Sequence, residues 1–169
     1  MLKPAPYSST EVPTLLILYA LAVAKEAETI LEIGTHQGGS TAILAQALEA
    51  CGGGVLHTIE VDPELIAAAK RVLADFDVPH VEIIYHHGPS TLVLPTLTAR
   101  FDFAFVDGWH DPANVRQEIA LLRPCMQPLG LIALHDVGAN GKGPLGRVVA
   151  EAGGLPLALQ CQGLGLIQC

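Results

Sequence analysis

Short apolar runs that stop abruptly at an acidic or glycine-rich turn recur along this chain, and longer stretches with helical spacing of their apolar positions lie between them. Runs of the first kind suit strands buried on both faces of a parallel sheet, and the second kind suits helices that cross between such strands. On this pattern residues 29–33, 55–60, 81–85, 101–106 and 131–134 read as strands, and residues 155–161 and 164–169 as a closing strand pair turning at Gln162-Gly163. Helices are expected over 12–24, 40–50, 63–76, 89–97, 111–122 and 145–152. Their ends carry local signals: Gly52-Gly53-Gly54 stops one helix, and Asp62-Pro63-Glu64 opens the next with a cap, a first-turn proline and an acid.

The alternation predicts an α/β fold, a doubly wound seven-stranded sheet that is mostly parallel with an antiparallel last strand. Residues 1–169 then form a single domain, with an N-terminal helix region over 1–28, a central core over 29–137 and a C-terminal helix and strand pair over 138–169. In an open sheet of this kind ligands bind beyond the carboxyl ends of the strands. Three strands deliver acids to that edge: Glu32 near the end of the first, Glu60 at the end of the second and Asp107 directly after the fourth.

Composition narrows the partners. Half the residues are apolar, nine are Lys or Arg, and the formal net charge is -8, so a nucleic-acid backbone is not expected and a small molecule is. Cys51, Cys125, Cys161 and Cys169 lack metal-ligand spacing and are expected as buried free thiols of a cytoplasmic protein. Residues 12–24 have the length of a signal segment but are too short to span a membrane. The competing reading is a helix opened by Ser9 or Thr10, carrying Glu11 in its first turn and packing beside the first strand.

The turn Gly34-Thr35-His36-Gln37-Gly38-Gly39-Ser40 follows the first strand, with glycines where the backbone must turn and approach a ligand. A dinucleotide fingerprint requires Gly at position 36, which is His, so NAD is disfavoured. Glu32 beside this turn suits an ammonium or sulfonium group better than a pyrophosphate. Glu60 suits the paired hydroxyls of a ribose.

Glu32-Ile33-Gly34-x-x-x-Gly38-x-Ser40, Thr58-Ile59-Glu60-Val61-Asp62-Pro63 and Phe103-Ala104-Phe105-Val106-Asp107-Gly108-Trp109-His110-Asp111 together resemble class I S-adenosylmethionine-dependent methyltransferases. The branch resembled is the small-molecule metal-dependent O-methyltransferases, including catechol and caffeoyl-CoA O-methyltransferases and antibiotic-modifying enzymes. The resemblance runs from about residue 29 to residue 137 and implies a Rossmann-like fold with S-adenosylmethionine as cofactor. It puts the amino-acid end of the cofactor near Glu32, Gly34, Thr35, His36, Gly38 and Ser40. The ribose falls on Glu60 with Val61 beside it, and adenine near Ser90. Asp107 lies between the cofactor and the chemistry. Ser40 and Ser90 are equally explained as helix caps, and Val61 as core.

In the resembling enzymes an Asp after the fourth strand and an Asp-Asn pair after the fifth hold a divalent metal. Here the corresponding residues are Asp107, His135 and Asp136. Two carboxylates suit magnesium, and an added imidazole shifts preference toward manganese or another transition metal. The alternative is that these side chains cap loops without a metal. His110 stands where the catechol-type enzymes place a lysine, and serves either as general base beside Asp107 or as a further metal ligand. Trp109 either walls the pocket or lies buried beneath its loop, and His86 and His87 read as solvated or core-edge residues. With only a short segment before the first strand, the pocket is open or completed by a second copy in a homodimer.

Overall fold

The computed structural model describes residues 3, 9–138, 141–157 and 163–169. Strands β1 (Thr29–Ile33), β2 (Gly54–Glu60), β3 (Val81–His87), β4 (Phe101–Val106), β5 (Met126–His135), β6 (Leu155–Leu157) and β7 (Leu164–Gln168) form one sheet in the order β3-β2-β1-β4-β5-β7-β6. β1 to β5 pair in parallel, and β7 runs antiparallel to both β5 and β6. Helices α1 (Val12–Ala24), α2 (Gly39–Ala50), α3 (Pro63–Leu73), α4 (Ser90–Val93), α5 (Pro112–Leu122) and α6 (Pro144–Glu151) cover the two faces.

Alternation along the strands builds the two cores, because successive side chains point to opposite faces. Ile30, Phe103 and Phe105 pack with Leu18, Ile43 and Leu48 on the α1–α2 side. Leu31, Ile33, Ala104 and Val106 pack with Val115, Ile119 and Val149 on the α5–α6 side. Since the chain winds outward from β1 to β3 and then from β4 through β5 to the edge strand β6, with β7 returning between β5 and β6, β1 and β4 are neighbours whose following segments diverge. That divergence opens a crevice at their carboxyl ends, where this class of sheet binds ligands.

Several boundaries differ from the sequence expectation. β3 continues through His86 and His87, since His86 pairs with Ile59 and His87 with Glu60 in the ladder. β5 begins at Met126 rather than 131, with Gly130 accepting from the Cys169 N–H. The helix expected over 63–76 ends at Leu73, and the one over 89–97 is split between α4 and a 3-10 turn at Leu94–Thr96. α1 is capped by neither Ser9 nor Thr10: Glu11 holds the cap position without a side-chain capping bond, since Thr10 reaches Asp107 and the Glu11 carboxyl is shared between the Thr14 hydroxyl and His135. The strand expected over 155–161 is seen at Leu155–Leu157; the rest of it, Cys161 and the turn residue Gln162 lie outside the described residues. Cys51, Cys125 and Cys169 are unpaired and half-buried rather than buried.

Candidate functional site

Gly34 and Asp107 form the ridge at the centre of the crevice. Gly34 has φ +98, and a Cβ there would stand 2.4 Å from the Asp107 carbonyl oxygen, so only glycine lets the two loops approach this closely. Gly38, at φ 84, then turns the chain into α2. Two cavities flank the ridge and share Gly34, His36, Asp107 and Gly108. The smaller, about 380 Å3, reaches Thr35, Ser40, His110, His135 and Asp136. The larger, about 520 Å3, reaches Glu60, Val61, Ser90, Trp109 and Glu118.

Glu32 is fully buried beneath this surface and lines neither cavity. Its carboxyl accepts hydrogen bonds from Ser40 (2.6 Å), Thr41 (2.6 Å) and Thr58 (2.7 Å), tying β1 to β2 and to the first turn of α2. Burial lifts its pKa to about 7 despite these three donors. Thr35 joins the same network through the Thr58 hydroxyl. Glu60 is held differently, by backbone: Oε2 accepts from His36 N–H at 2.8 Å, and Oε1 from Val61 and Asp62 N–H at 2.8 and 3.1 Å. These bonds leave Glu60 one lone-pair site, on Oε2, at the wall of the larger cavity.

At the other end of the ridge Asp107, His110, His135 and Asp136 converge, each offering a ligand atom within 4.8 Å of the others. His135 Nδ1 lies 2.8 Å from Asp107 Oδ1, and His110 Nε2 lies 2.8 Å from Asp136 Oδ2 and 3.3 Å from Asp107 Oδ1. Burial alone would raise the Asp107 pKa, but hydrogen bonds from His110, His135 and Thr10 outweigh it and hold the carboxyl below its usual range. Burial likewise opposes charge on His135, yet the Asp107 carboxylate overrides it and raises the imidazole to about 9. The hydrogen bond to Asp107 raises His110 as well, while burial raises Asp136. The donor set of two carboxylates and two imidazoles, with ligand atoms within 4.8 Å of one another, is one that could hold a divalent cation, and its chemistry suits the manganese, iron or zinc type.

The convergence expected of these four residues is therefore observed, and two partners went unread in the sequence. Thr10 donates to Asp107 Oδ2 at 3.0 Å, and Glu11 Oε2 lies 3.0 Å from His135 Nε2. Sequence separations of 97 and 124 residues left no local trace of either contact. Glu118 was legible in principle: Val115, Glu118, Ile119 and Leu122 share one helical face, so an acid stands where the period demands an apolar residue. It is 1% exposed, and Ser90 donates to it. Trp109 is 77% exposed on the cavity rim, which removes the buried-ring reading. His86 stacks on His57 with a 2.9 Å ring-nitrogen contact, and His87 Nε2 lies 3.0 Å from the Val61 carbonyl.

Comparison with known proteins agrees with this geometry. The family described as "Methyltransferase domain" matches residues 31–137. The human transmembrane O-methyltransferase is 35% identical over 126 residues, covering 71% of this chain and 42% of that protein. The O-methyltransferase ankF of Aspergillus thermomutatus is 34% identical over 117 residues, covering 69% of this chain and 48% of its own length. The chain thus spans less than half the length of these curated relatives. Among solved structures, the O-methyltransferase TomG of Streptomyces achromogenes, involved in tomaymycin synthesis and crystallised with S-adenosylmethionine, superposes with a TM-score of 0.77. It is 26% identical, with 94% of this chain and 79% of that chain covered. The family match runs from within β1 through the Asp107 to Asp136 cluster, and this chain belongs to the methyltransferase domain family.

Proposed function

We propose that this chain transfers the methyl group of S-adenosylmethionine to a hydroxyl oxygen of a small molecule, assisted by a divalent cation. The observation that carries the reading is the pair of cavities on one ridge, one lined by Glu60 and the other by the Asp107, His110, His135 and Asp136 cluster. A nucleoside in the larger cavity sets its ribose diol on Glu60, and the amino-acid end crosses Gly34 toward Ser40. Glu32 acts on that end through Ser40, whose hydroxyl it orients. The ridge then holds the sulfonium centre above Asp107, facing the smaller cavity.

Asp107, His135 and Asp136 would hold the cation, which supplies charge stabilisation for the acceptor oxygen as it loses its proton. The acceptor oxygen attacks the methyl carbon, the carbon–sulfur bond breaks, and its electron pair returns to sulfur, leaving a neutral thioether. Alignment of oxygen, carbon and sulfur in the crevice is the protein's main contribution. His110, half-exposed at the mouth, receives the hydroxyl proton or adds its imidazole to the cation site. His110→Gln separates the roles: loss of a base lowers kcat with cation affinity intact, and loss of a ligand lowers cation affinity itself.

One observation favours a second, metal-free reading. His135 lies between Asp107 and Glu11 through both ring nitrogens, and the Asp107 carboxylate raises its pKa to about 9, so a protonated imidazole beside Asp107 could supply the positive charge in place of a cation. Transfer of a labelled methyl group to a panel of catechols and other hydroxylated acceptors, with and without EDTA, decides between the two. Activity lost in EDTA and restored by manganese or magnesium supports cation assistance, and full activity in EDTA supports the imidazolium. No turnover together with no binding of S-adenosylhomocysteine would overturn both.

Three half-buried free thiols accord with a reducing, cytoplasmic setting. Among the described residues no helix is long and apolar enough to cross a membrane. Val12 and Leu16 expose an apolar strip on α1 that suits contact with a second copy in a homodimer.

A further inference from the structure

Ser90 and Glu118 form a buried pair against the larger cavity, 9% and 1% exposed. The Ser90 hydroxyl donates its one hydrogen to Glu118 Oε1 at 2.5 Å. With Ser90 as the donor in this bond, Ser90 Oγ has lone pairs alone left to offer. Glu118 Oε2 is buried without a hydrogen bond of normal geometry among the described residues, and the Asn114 side chain, one turn away on the same wall, acts on this carboxyl, so Ser90 Oγ is the acceptor the pair presents to the cavity. Gly108 interposes no side chain, since a Cβ there would itself stand 4.0 Å from Glu118 Oε1. On the same cavity wall Glu60 offers its remaining Oε2 acceptor to a diol, and Ile59, Leu65 and Trp109 offer apolar surface to a flat ring.

This corner fits a ring edge that donates hydrogen bonds. A base carrying an exocyclic amine meets that demand, whereas one carrying a carbonyl at the same position sets oxygen against oxygen. We infer that Glu118 is a positioning residue that, by consuming the Ser90 hydrogen, makes the cavity select an aminopurine nucleoside over an oxopurine one. The inference rests on the proposed function in placing the nucleoside of the methyl donor in this cavity. It adds a determinant that lies on α5, outside the strand-end turns that carry the other contacts.

Calorimetric binding of S-adenosylhomocysteine and of its inosine counterpart, S-inosylhomocysteine, to the whole chain at pH 8 tests it. Wild type is expected to prefer the adenosine compound by about tenfold or more, the scale set by leaving a buried polar group unpaired. Glu118→Gln keeps the shape but lets an amide N–H donate to Ser90, which frees the Ser90 hydrogen for a carbonyl. The preference should then fall to about threefold or less. A variant that keeps the wild-type ratio at an unchanged Tm would overturn the inference, as would equal binding of both compounds by wild type. Should Glu118→Gln fail to fold, Ser90→Ala decides by the same ratio: a lost preference supports the inference and a retained one overturns it. Absence of S-adenosylhomocysteine binding to wild type would overturn the proposed function together with the inference. Binding with an unchanged ratio would overturn the inference alone.

Discussion

Glu32 and Glu60 are both acids at the ends of neighbouring strands, yet the fold treats them differently. Glu32 has three hydroxyl donors and no solvent, and burial lifts its pKa to about 7. The unfolded chain releases this proton near the usual 4.5, so between those values the native state binds more protons than the unfolded state. Stability from this group is therefore present at low pH and lost as pH rises toward 7. Glu32→Gln does not titrate, and its Tm should decline less than that of wild type between pH 5 and 7; parallel melting curves would show that Glu32 is ionised throughout. Glu60 is bound by three backbone N–H groups on a cavity wall, so its removal both orphans those donors and strips a ligand contact. Glu60→Ala should weaken S-adenosylhomocysteine binding by roughly ten- to a hundredfold, measured by calorimetry, in keeping with loss of hydrogen bonds to a charged group.

The turn between β1 and α2 shows how connections between elements set the site. Its glycines answer to particular contacts: Gly34 to the Asp107 carbonyl, and Gly38 to the Ala69 backbone of α3, 3.0 Å from where a Cβ would stand. Gly34→Ala combines a left-handed backbone with a Cβ only 2.4 Å from a main-chain oxygen that does not yield easily. We expect a stability loss of about 2 kcal/mol or more by denaturant titration, with cofactor affinity falling too because the β1 and β4 ends must separate. α1 carries a second such connection. Its cap residue Glu11 reaches His135 on β5, and the adjacent Thr10 reaches Asp107, so the N-terminal arm closes one side of the smaller cavity. Glu11→Gln should leave nucleoside binding unchanged and alter cation affinity, read by titration of manganese; unchanged cation affinity would show that the arm only covers the site.

For the molecule as a whole, the strand order places the crevice where β1 and β4 part, so a bound cofactor bridges both halves of the sheet. Such a ligand binds the folded chain alone and stabilises it by linkage. At a hundredfold excess over Kd, S-adenosylhomocysteine should add about 2.7 kcal/mol, or roughly 5–10 °C in Tm for a domain of this size. A melting curve that does not move at millimolar ligand would count against the crevice as a cofactor site.

Much of this architecture was legible in the chain because its causes are local. Strand and helix positions follow from apolar periodicity, and the antiparallel end follows from the short spacing of the last two strands. Glu32, Glu60 and Asp107 stood out because an acid ending a buried apolar run calls for a partner. Which partner each one found was not written there. Glu32 met hydroxyls of α2 and β2, Glu60 met backbone of two turns, and Asp107 met side chains from β5 and the N-terminal arm. Glu118 acquired its partner only when α5 packed against the start of α4, which carries Ser90. The sequence by itself determined the elements and the edge at which chemistry collects, since these depend on neighbours along the chain. Tertiary packing determined which acids are buried, hydrogen-bonded or open to a ligand, because burial and partners come from segments far apart in sequence.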